Sequence, residues 1–495
     1  MDRLVLAYVF GLPTNLWTVV GVLIHFAIQV GIAVRVVMRR RSTSETMAWI
    51  LVVFALPIVG LLTYLLVGEL RLGRRRERRF IELMPPIKQW LADIPKRSLV
   101  DWSRLEGDFE PLSELCEKTI GVPSLIGNQV ELIGDWQHVF ERLLADVDAA
   151  EHTCHLEFYI WNVGGEADRV ADALIRAQQR GVVCRVLVDA LGSRSFMRSD
   201  VAQRMRDAGI VILDALPGGI WRMPFVRFDL RLHRKIVVID GRVAYTGSLN
   251  LVDPRFFKRD AGVGQWVDAM VRIEGPAVEA LQITFLADWY VESDASLDEI
   301  RQYDAAPPQP KRGNCAVQVM PSGPELIGGA VEHVLLTAIY SARRELLITT
   351  PYFVPSEPLS MALVAAARRG VKVVLIVPKH VDSLLVRYAS AAFKGDLLEE
   401  GVRVALFKDG LLHTKSVTVD GSHCLFGSVN LDPRSFRLNF EILLAIYDRE
   451  FTSRLCALQK HYIERSELMD WEAYRNRPRT QQVAENFARL LGPLL

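Results

Sequence analysis

The chain has 495 residues, a formal net charge of +1, and hydrophobic side chains at 50% of its positions. This length is sufficient for two domains of ordinary size. The balanced charge excludes the strong positive field on which non-specific nucleic-acid binding depends. The six cysteines include no Cys-x-x-Cys pair and indicate buried free thiols in a reducing compartment.

The N-terminal region contains two uncharged stretches, residues 16–34 and 47–68. Each is long enough to cross the hydrocarbon core of a bilayer, so we expect residues 1–70 to form a membrane hairpin of two hydrophobic helices. Pro57 is expected to kink the second helix or to mark a re-entrant hairpin. The alternatives are a cleaved signal peptide, although no small-x-small cleavage site follows the first stretch, and a pair of buried core helices.

Arginines are distributed unequally around these stretches. Four lie in the short loop between them and seven lie outside, which places the large domain in the cytoplasm by the positive-inside rule. Segment 71–125 is expected to be a basic juxtamembrane linker. Its RLGRRRERR cluster either lies against anionic headgroups or is a solvated run of charge.

Beyond this segment the chain repeats one order of elements. Residues 126–300 and 315–465 each contain a helix, a strand, a second helix and a second strand before a longer β-rich region. Residues 301–314 form a Pro-rich linker between them. This alternation predicts two similar α/β halves, each a sheet flanked by helices.

Two further segments leave alternatives open. The first half carries a net insertion of nine residues, which we place in the aromatic segment 217–231. This segment either dips towards lipid, lines a substrate entrance, or packs as a surface loop. The tail, residues 466–495, is predicted to be an amphipathic helix that lies on lipid or packs on the α/β halves. Its apolar face comprises Val483, Phe487, Leu490 and Leu491.

The strongest signal is a duplicated motif, His-x-Lys-x4-Asp-x6-Gly-Ser-x-Asn. The first copy comprises His233, Lys235, Asp240, Gly247, Ser248 and Asn250. The second copy comprises His413, Lys415, Asp420, Gly427, Ser428 and Asn430. A single His-x-Lys carries no information, but a matched pair of long motifs does.

The motif has a physical interpretation. The segments IVVID and SVTVD are β-branched strands, and residues two apart on a strand share a face, so each His projects with its Lys. The Asp-Gly pairs predict tight turns that bring the Ser and Asn back beside the same His. Lysines and amides suit a phosphoryl group, and two histidines suit a nucleophile with an acid/base partner. The alternative is two ordinary surface hairpins.

Carboxylates complete the candidate site. Asp268 and Glu441 follow the two motifs, and each is a candidate to orient a histidine through its second ring nitrogen. Both could equally be plain structural acids. Asp240 and Asp420 lie at turns, one parity away from their histidines, so we expect them to hold the hairpins rather than to carry protons.

The duplicated motif is similar to the signature of the phospholipase D superfamily, and the resemblance covers nearly all of the chain beyond about residue 125. It implies one pseudo-twofold catalytic unit with mixed sheets, in which both histidines meet and a phosphohistidine forms without metal or cofactor. The catalytic motif residues that it implies are His233, Lys235, Asp240, His413, Lys415 and Asp420. The phosphate-binding or supporting residues are Ser248, Asn250, Ser428 and Asn430.

Within the superfamily the chain resembles bacterial cardiolipin synthases in its N-terminal hairpin, in the segments RIEGPAV and NLDPRSFRLNFE, and in its tail. This resemblance implies phosphatidyl transfer between two phosphatidylglycerol molecules at the bacterial cytoplasmic membrane. It favours His233 as nucleophile and His413 as acid/base. The rival functions are a membrane-bound phospholipase D that uses water, a nuclease, and a non-enzymatic scaffold. The oligomeric state is not predicted.

Overall fold

The structure is a computed structural model. It describes residues 14–39, 43–94, 98–105, 107, 109–217, 226–258, 261–303, 308–326 and 329–492. The chain divides into an N-terminal unit, built mainly from residues 1–71, and an α/β unit that contains nearly all of the remainder.

In the N-terminal unit the described residues form three helices, α1 (Thr14–Met38), α2 (Thr43–Ala55) and α3 (Pro57–Val67). Among the described residues, only Leu16–Met38 is long and apolar enough to cross a membrane. The second expected span is therefore corrected to two short helices that meet at Leu56. The break falls at Pro57, where a kink was predicted, because proline has no backbone N–H with which to continue the preceding helix.

Helix α2 runs back along the second half of α1. Gln29 Nε2 donates a hydrogen bond to Val53 O at 3.0 Å, and the rings of Trp49 and Tyr64 form an edge-to-face contact at 5.2 Å. These side chains join a small apolar cluster that links all three helices. The first half of α1 is exposed within this unit on nearly all sides.

The α/β unit is built on one large mixed sheet. The strands of its first half are β1 (Leu125–Ile133), β2 (Thr153–Phe158), β3 (Val183–Asp189), β4 (Val211–Ala215), β5 (Arg231–Leu232), β6 (Lys235–Ile239), β7 (Val243–Gly247), β8 (Trp266–Val267) and β9 (Met270–Glu274). Those of its second half are β10 (Cys315–Ser322), β11 (Glu345–Thr349), β12 (Lys372–Pro378), β13 (Arg403–Phe407), β14 (Leu411–Leu412), β15 (Ser416–Val419), β16 (His423–Gly427), β17 (Asn439–Tyr447) and β18 (Ser466–Leu468). Strands β8 and β14 form a separate two-stranded sheet.

The strand order shows the duplication directly. The first half has the order β4-β3-β2-β6-β7-β9-β1, and the second has the equivalent order β13-β12-β11-β15-β16-β17-β10. In each half three neighbouring strands are parallel and the others antiparallel. Antiparallel pairing of β1 with β10 joins the halves into one sheet. The predicted fold class, two similar phospholipase D-like halves in one unit, is confirmed.

Helices cover both faces of this sheet, so its strands are buried on both sides. The helices of the α/β unit are α4 (Arg74–Asp93), α5 (Glu110–Ile120), α6 (Trp136–Asp148), α7 (Glu166–Gln179), α8 (Arg194–Met197), α9 (Asp200–Asp207), α10 (Ala277–Glu292), α11 (Leu297–Tyr303), α12 (Ala330–Ser341), α13 (Glu357–Arg368), α14 (Leu384–Glu399), α15 (Pro433–Arg437), α16 (Arg449–Glu464), α17 (Trp471–Arg475) and α18 (Arg479–Leu490).

Segment 71–125, which was expected to be a basic juxtamembrane linker, is largely helical. Its helices α4 and α5 pack on the α/β unit, and two of its arginines make specific contacts there. Arg76 is buried and forms an ion pair with Glu292, and the Arg79 guanidinium lies 3.8 Å from the centre of the Tyr290 ring. A run of arginines looks solvated in sequence because its buried partners are distant in the chain.

The remaining boundary segments also differ in detail from the expectations. Helix α11 extends into the Pro-rich linker, and β18 of the tail adds an edge strand beside β13. In the tail, α18 packs on the α/β unit through Glu485 and Ala488, whereas its predicted apolar face points outward. Most of the aromatic insertion lies outside the described residues, which omit 218–225.

Candidate active site

Both motif copies form β-hairpins, and an Asp-Gly pair lies at each turn. Asp240 and Gly241 have φ angles of +53° and +62°, and Asp420 and Gly421 have +54° and +65°. Asp tolerates this left-handed conformation better than most residues, and Gly adopts it freely, so the dipeptide specifies the turn.

The motif aspartates fasten these turns to the sheet. The Asp240 carboxylate accepts hydrogen bonds from the backbone N–H groups of residues 151–153 at 2.9, 2.7 and 2.8 Å. Asp420 does the same for residues 343–345 at 2.8, 2.7 and 2.9 Å. Because these acceptors are used to bind the start of a neighbouring strand, the geometry supports the structural role expected from parity.

The two halves exchange short strands at the candidate site. β5, just before the first motif histidine, pairs with β17 of the second half, and β14 pairs with β8 of the first half. The His233 backbone N–H donates to Phe440 O at 2.8 Å, and that of His413 donates to Val267 O, also at 2.8 Å. Each histidine is thus positioned by the backbone of the opposite half.

The histidines pair with acids in the same crossed manner. Nδ1 of His233 lies 2.8 Å from Oε2 of Glu441, and Nδ1 of His413 lies 2.7 Å from Oδ1 of Asp268. Since a carboxylate accepts a hydrogen bond from the Nδ1–H group of each ring, Nε2 is the ring nitrogen that remains free to react. Sequence order had placed each acid after a motif without revealing that it serves the histidine of the other half.

The motif serines hold these acids. Ser248 Oγ donates to Asp268 at 2.6 Å, and Ser428 Oγ donates to Glu441 at 2.5 Å. The structure therefore places the serines behind the histidines, as supports of the acids, rather than facing a phosphate directly. Gly247 and Gly427 precede them because a Cβ there would collide with carbonyl oxygens of the strands that carry the acids.

The motif lysines lie fully buried beside their histidines. Lys235 Nζ donates to His233 O at 2.6 Å, and Lys415 Nζ donates to His413 O at 2.5 Å. Burial lowers the pKa of Lys235 to about 8 and holds the pKa of Lys415 well below its usual range. A bound anion would favour the charged forms, so these ammonium groups suit a phosphate ligand.

The motif asparagines present unsatisfied polar groups. Asn250 Oδ1 accepts from the Ile160 backbone N–H at 3.2 Å, whereas its Nδ2 is buried and has no partner among the described residues. The Asn430 Oδ1 atom is likewise buried and has no hydrogen-bond partner in the part of the chain that the structure describes. Buried polar atoms are normally paired, so these two amides are candidates to contact a ligand.

Burial keeps both histidines neutral. It lowers the pKa of His233 to about 4, against the raising effect of Glu441. It also lowers the pKa of His413 to about 4; there Lys415 adds to the effect of burial and Asp268 opposes it. A neutral imidazole is a competent nucleophile, and one of the pair must gain a proton to act as an acid.

Aromatic rings border the two histidines. The Tyr159 ring centre lies 5.0 Å from that of His233, and the Trp266 ring lies 4.5 Å from His413. Tyr159 follows strand β2 and borders the site, whereas Trp161 and Phe353 are fully buried core residues. Trp266 was missed, although its position two residues before a candidate acid was an available signal.

Arg234 is a second residue that the sequence interpretation missed. Its guanidinium is buried, donates to the backbone oxygens of Glu441 (3.0 Å) and Ser322 (2.9 Å), and pairs with Asp288. It therefore ties the first motif to the strand that carries the acid of the second half. Nothing in the local pattern distinguishes this arginine from an exposed one.

The described residues contain no cluster of three or more His, Cys, Asp or Glu side chains suited to a metal ion. They contain two histidines whose Nδ1 atoms are bound to acids, two buried lysines, and two asparagine amides that each have one buried atom without a partner. This arrangement on a duplicated α/β sheet defines a phospholipase D-like enzyme of phosphoryl transfer.

The family is shown by comparison with known proteins. The model for "Cardiolipin synthase, PLD-like domain" matches residues 143–289 and 335–461, and that for "Phospholipase_D-nuclease N-terminal" matches residues 27–69. Cardiolipin synthase A from Erwinia tasmaniensis is 43% identical over 485 residues, which cover 97% of this chain and 100% of that protein. Cardiolipin synthase A from Yersinia pseudotuberculosis is 43% identical over 486 residues with the same coverage. The chain belongs to the cardiolipin synthase family.

A solved structure supports the fold. The phosphatidylserine synthase of Haemophilus influenzae Rd KW20 superposes with a TM-score of 0.57 at 17% sequence identity. The match covers 74% of this chain and 95% of that one. At this identity the likeness bears on the fold alone.

Proposed function

We propose that the chain is a cardiolipin synthase that transfers the phosphatidyl group of one phosphatidylglycerol to a second and releases glycerol. The observation that carries the proposal is the crossed pairing of two buried histidines with the acids of opposite halves. It brings the nucleophile and the acid/base of a two-step displacement into one site. The family membership supports a cardiolipin synthase function and is consistent with this reaction.

In the first step, Nε2 of His233 attacks the phosphorus of the donor lipid, and the bond from phosphorus to the glycerol oxygen breaks. His413 gives its proton to that oxygen, so neutral glycerol leaves and a phosphatidyl-histidine remains. Lys235, Lys415 and Asn250 stabilise the charge on the nonbridging oxygens. The anionic donor phosphate itself favours the protonated form of His413, against the effect of burial.

In the second step, His413 is neutral and removes a proton from the terminal hydroxyl of the acceptor phosphatidylglycerol. The resulting oxygen attacks phosphorus, the N–P bond breaks, and His233 is restored. Glu441 stabilises the positive charge of the His233 ring while phosphorus is attached. The two histidines therefore titrate as a coupled pair.

A membrane-bound phospholipase D would use the same residues with water as acceptor, and a product assay separates the two functions. Purified protein in lipid–detergent micelles receives labelled phosphatidylglycerol, and mass spectrometry identifies the products. Cardiolipin with glycerol supports the synthase, whereas phosphatidic acid without cardiolipin shows that water wins. The net charge of +1 disfavours a nuclease. The proposal does not depend on the oligomeric state.

The N-terminal unit supports a single crossing of the bacterial cytoplasmic membrane. Glu69, which follows the second apolar stretch, accepts hydrogen bonds from Arg35 Nη2 at 2.8 Å and from Arg39 Nη2 at 3.1 Å. Both arginines lie at the end of α1, where the second stretch also begins. That stretch therefore enters and leaves at the same level, as a re-entrant hairpin.

Helix length agrees with this topology. α2 has 13 residues, a length of about 20 Å, whereas the hydrocarbon core is about 30 Å thick. With one crossing, nine arginines up to residue 79 follow α1, a tenth (Arg35) lies in its last turn, and only Arg3 precedes it. The positive-inside rule then places the α/β unit in the cytoplasm more firmly than a two-span arrangement would.

Cysteine labelling tests the topology. Thr43→Cys and Gln179→Cys are exposed positions in α2 and α7, and the six native cysteines are buried. A membrane-impermeant maleimide should label both positions only after cells are permeabilised. Labelling of Thr43→Cys but not Gln179→Cys in intact cells would place them on opposite sides and overturn the re-entrant hairpin.

A further inference from the structure

The outward face of α18 carries an apolar stripe that nothing in the α/β unit covers. Val483, Phe487 and Leu490 have exposed fractions of 68%, 62% and 58%. Their spacing of four and three residues aligns them on one side of the helix. The sequence had predicted these residues as an apolar face, and the structure shows that the face is not used for packing within the described chain.

The opposite face of α18 fixes the helix in this orientation. Ala488 packs with Val354 and Ala389, and the Glu485 carboxylate is buried and bound by Arg477 Nε at 2.7 Å. Turning the apolar stripe inward would expose Ala488 and break the buried ion pair. The stripe is therefore a permanent surface feature rather than a helix caught half-packed.

The charges that α18 itself presents on its outer surface are positive. Glu485 is the only acidic residue of α18, and it is buried on the inner face. Arg479, the first residue of α18, is exposed and lies one turn before Val483 on the stripe side, and Arg475, the last residue of α17, is exposed as well. An apolar stripe on a helix whose exposed charges are basic has the composition of a helix that lies in the interface of an anionic bilayer.

We propose that this face of α18 docks on the lipid bilayer, with Val483, Phe487 and Leu490 between the headgroups and Arg475 and Arg479 among the anionic phosphates. A second copy of the chain is a poorer occupant. In a twofold contact the same arginines would border one interface from both sides without acidic partners on the helix. The proposal rests on the surface alone and does not depend on the reaction.

Docking through α18 has a consequence for the α/β unit. The tail helix is bound to α14 by Arg489 Nη1 and Asp396 Oδ2 at 2.6 Å, in addition to its apolar contacts. A second membrane contact, remote in sequence from the N-terminal crossing, restricts the tilt of the unit relative to the bilayer. A mobile domain on a single tether would lack this restriction.

Depth-dependent quenching tests the proposal on the full chain in nanodiscs that contain phosphatidylglycerol. A Val483→Cys variant is labelled with an environment-sensitive fluorophore, and nitroxide-bearing lipids act as quencher. The matched control is the same label at Gln179→Cys, an exposed position on the strongly charged helix α7. We expect quenching at residue 483 to exceed that at residue 179 by at least about twofold.

A second variant separates docking from folding. Phe487→Ser with Leu490→Ser, in the labelled Val483→Cys chain, should leave the melting temperature unchanged because both side chains already face outward, and should reduce the quenching towards the control value. Equal quenching at residues 483 and 179 overturns the proposal. So does a spectral shift at residue 483 that follows the number of protein copies per disc rather than the presence of quencher lipid, since a second copy would then cover the face.

Discussion

The two halves of the candidate site share a frame but differ in how firmly they hold their acids. Glu441 accepts hydrogen bonds from four side chains, which are His233, Ser428, Ser435 and Asn439. Asp268 accepts from two, His413 and Ser248, and its Oδ2 has no partner within the described residues. The partner of His233 is thus the more constrained carboxylate.

The residue after each histidine differs as well. Arg234 joins three elements through buried hydrogen bonds, whereas the Thr414 hydroxyl makes two long contacts, with Val267 O at 3.4 Å and with the Tyr462 hydroxyl at 3.3 Å. Duplication supplied a symmetric pair of His-Lys hairpins, and the surrounding side chains made the pair unequal. A reaction that needs one nucleophile and one acid requires such inequality.

Removal of either histidine should have the largest effect on activity and should show how the roles of the two halves differ. His233→Ala and His413→Ala should each lower phosphatidyl transfer about 10⁴-fold, the usual loss for members of a catalytic set. A phosphatidyl ester of p-nitrophenol needs no acid for departure of its leaving group. With that substrate, His413→Ala should still release a stoichiometric burst of p-nitrophenol and accumulate phosphohistidine, and His233→Ala should do neither.

The reverse result, a burst from His233→Ala and none from His413→Ala, would exchange the two roles. Bursts from both variants would contradict a single nucleophile. Circular dichroism of both variants serves as the control for folding.

The crossed acids give the next effect. In the His413→Ala background, Glu441→Gln should slow the p-nitrophenol burst by roughly 10³-fold because it removes the carboxylate that orients the His233 ring. Asp268→Asn in the same background should change the burst little, because the histidine that Asp268 serves is already absent. Equal slowing by both changes would contradict the separate assignment of each acid to the histidine of the opposite half.

The lysines predict an alkaline limit. Burial lowers the pKa of Lys235 to about 8, so the lysine is charged below that pH and loses its proton as the pH rises through it. Transfer, measured as kcat/KM, should therefore decline above about pH 8. Lys235→Arg remains charged, so it should lower the rate and remove the part of this decline that Lys235 causes. A profile unchanged from that of the original protein would assign the decline to another group, of which Lys415 is the first candidate because burial lowers its pKa as well.

The residues that follow the histidines, Arg234 and Thr414, should affect the free energy of unfolding rather than the chemical steps. Arg234→Met leaves Asp288 buried without its partner and should cost about 3–5 kcal/mol of unfolding free energy. The equivalent change Thr414→Val should cost less than about 1 kcal/mol. Thermal melting of the detergent-solubilised protein measures both, and similar losses would show that Arg234 has no special part in joining the halves.

Short-range patterns in the sequence predicted a large part of this protein. The duplicated motif, the Asp-Gly turns, the order of helices and strands in each half and the break at Pro57 all depend on residues within one hairpin or one helix. The same patterns predicted an apolar helix in the tail. They did not reveal the contacts of segment 71–125, because the partners of Arg76 and Arg79 lie more than 200 residues away.

The sequence by itself determined the fold class, the family and the set of polar residues available for chemistry, since each is written in local spacing. Only the tertiary structure decided how these residues combine. The pairs His233–Glu441 and His413–Asp268 span 208 and 145 positions, and exchanged strands between the halves create both. No periodicity encodes a contact of that range, because it forms only when two folded halves bury the same polar groups against each other.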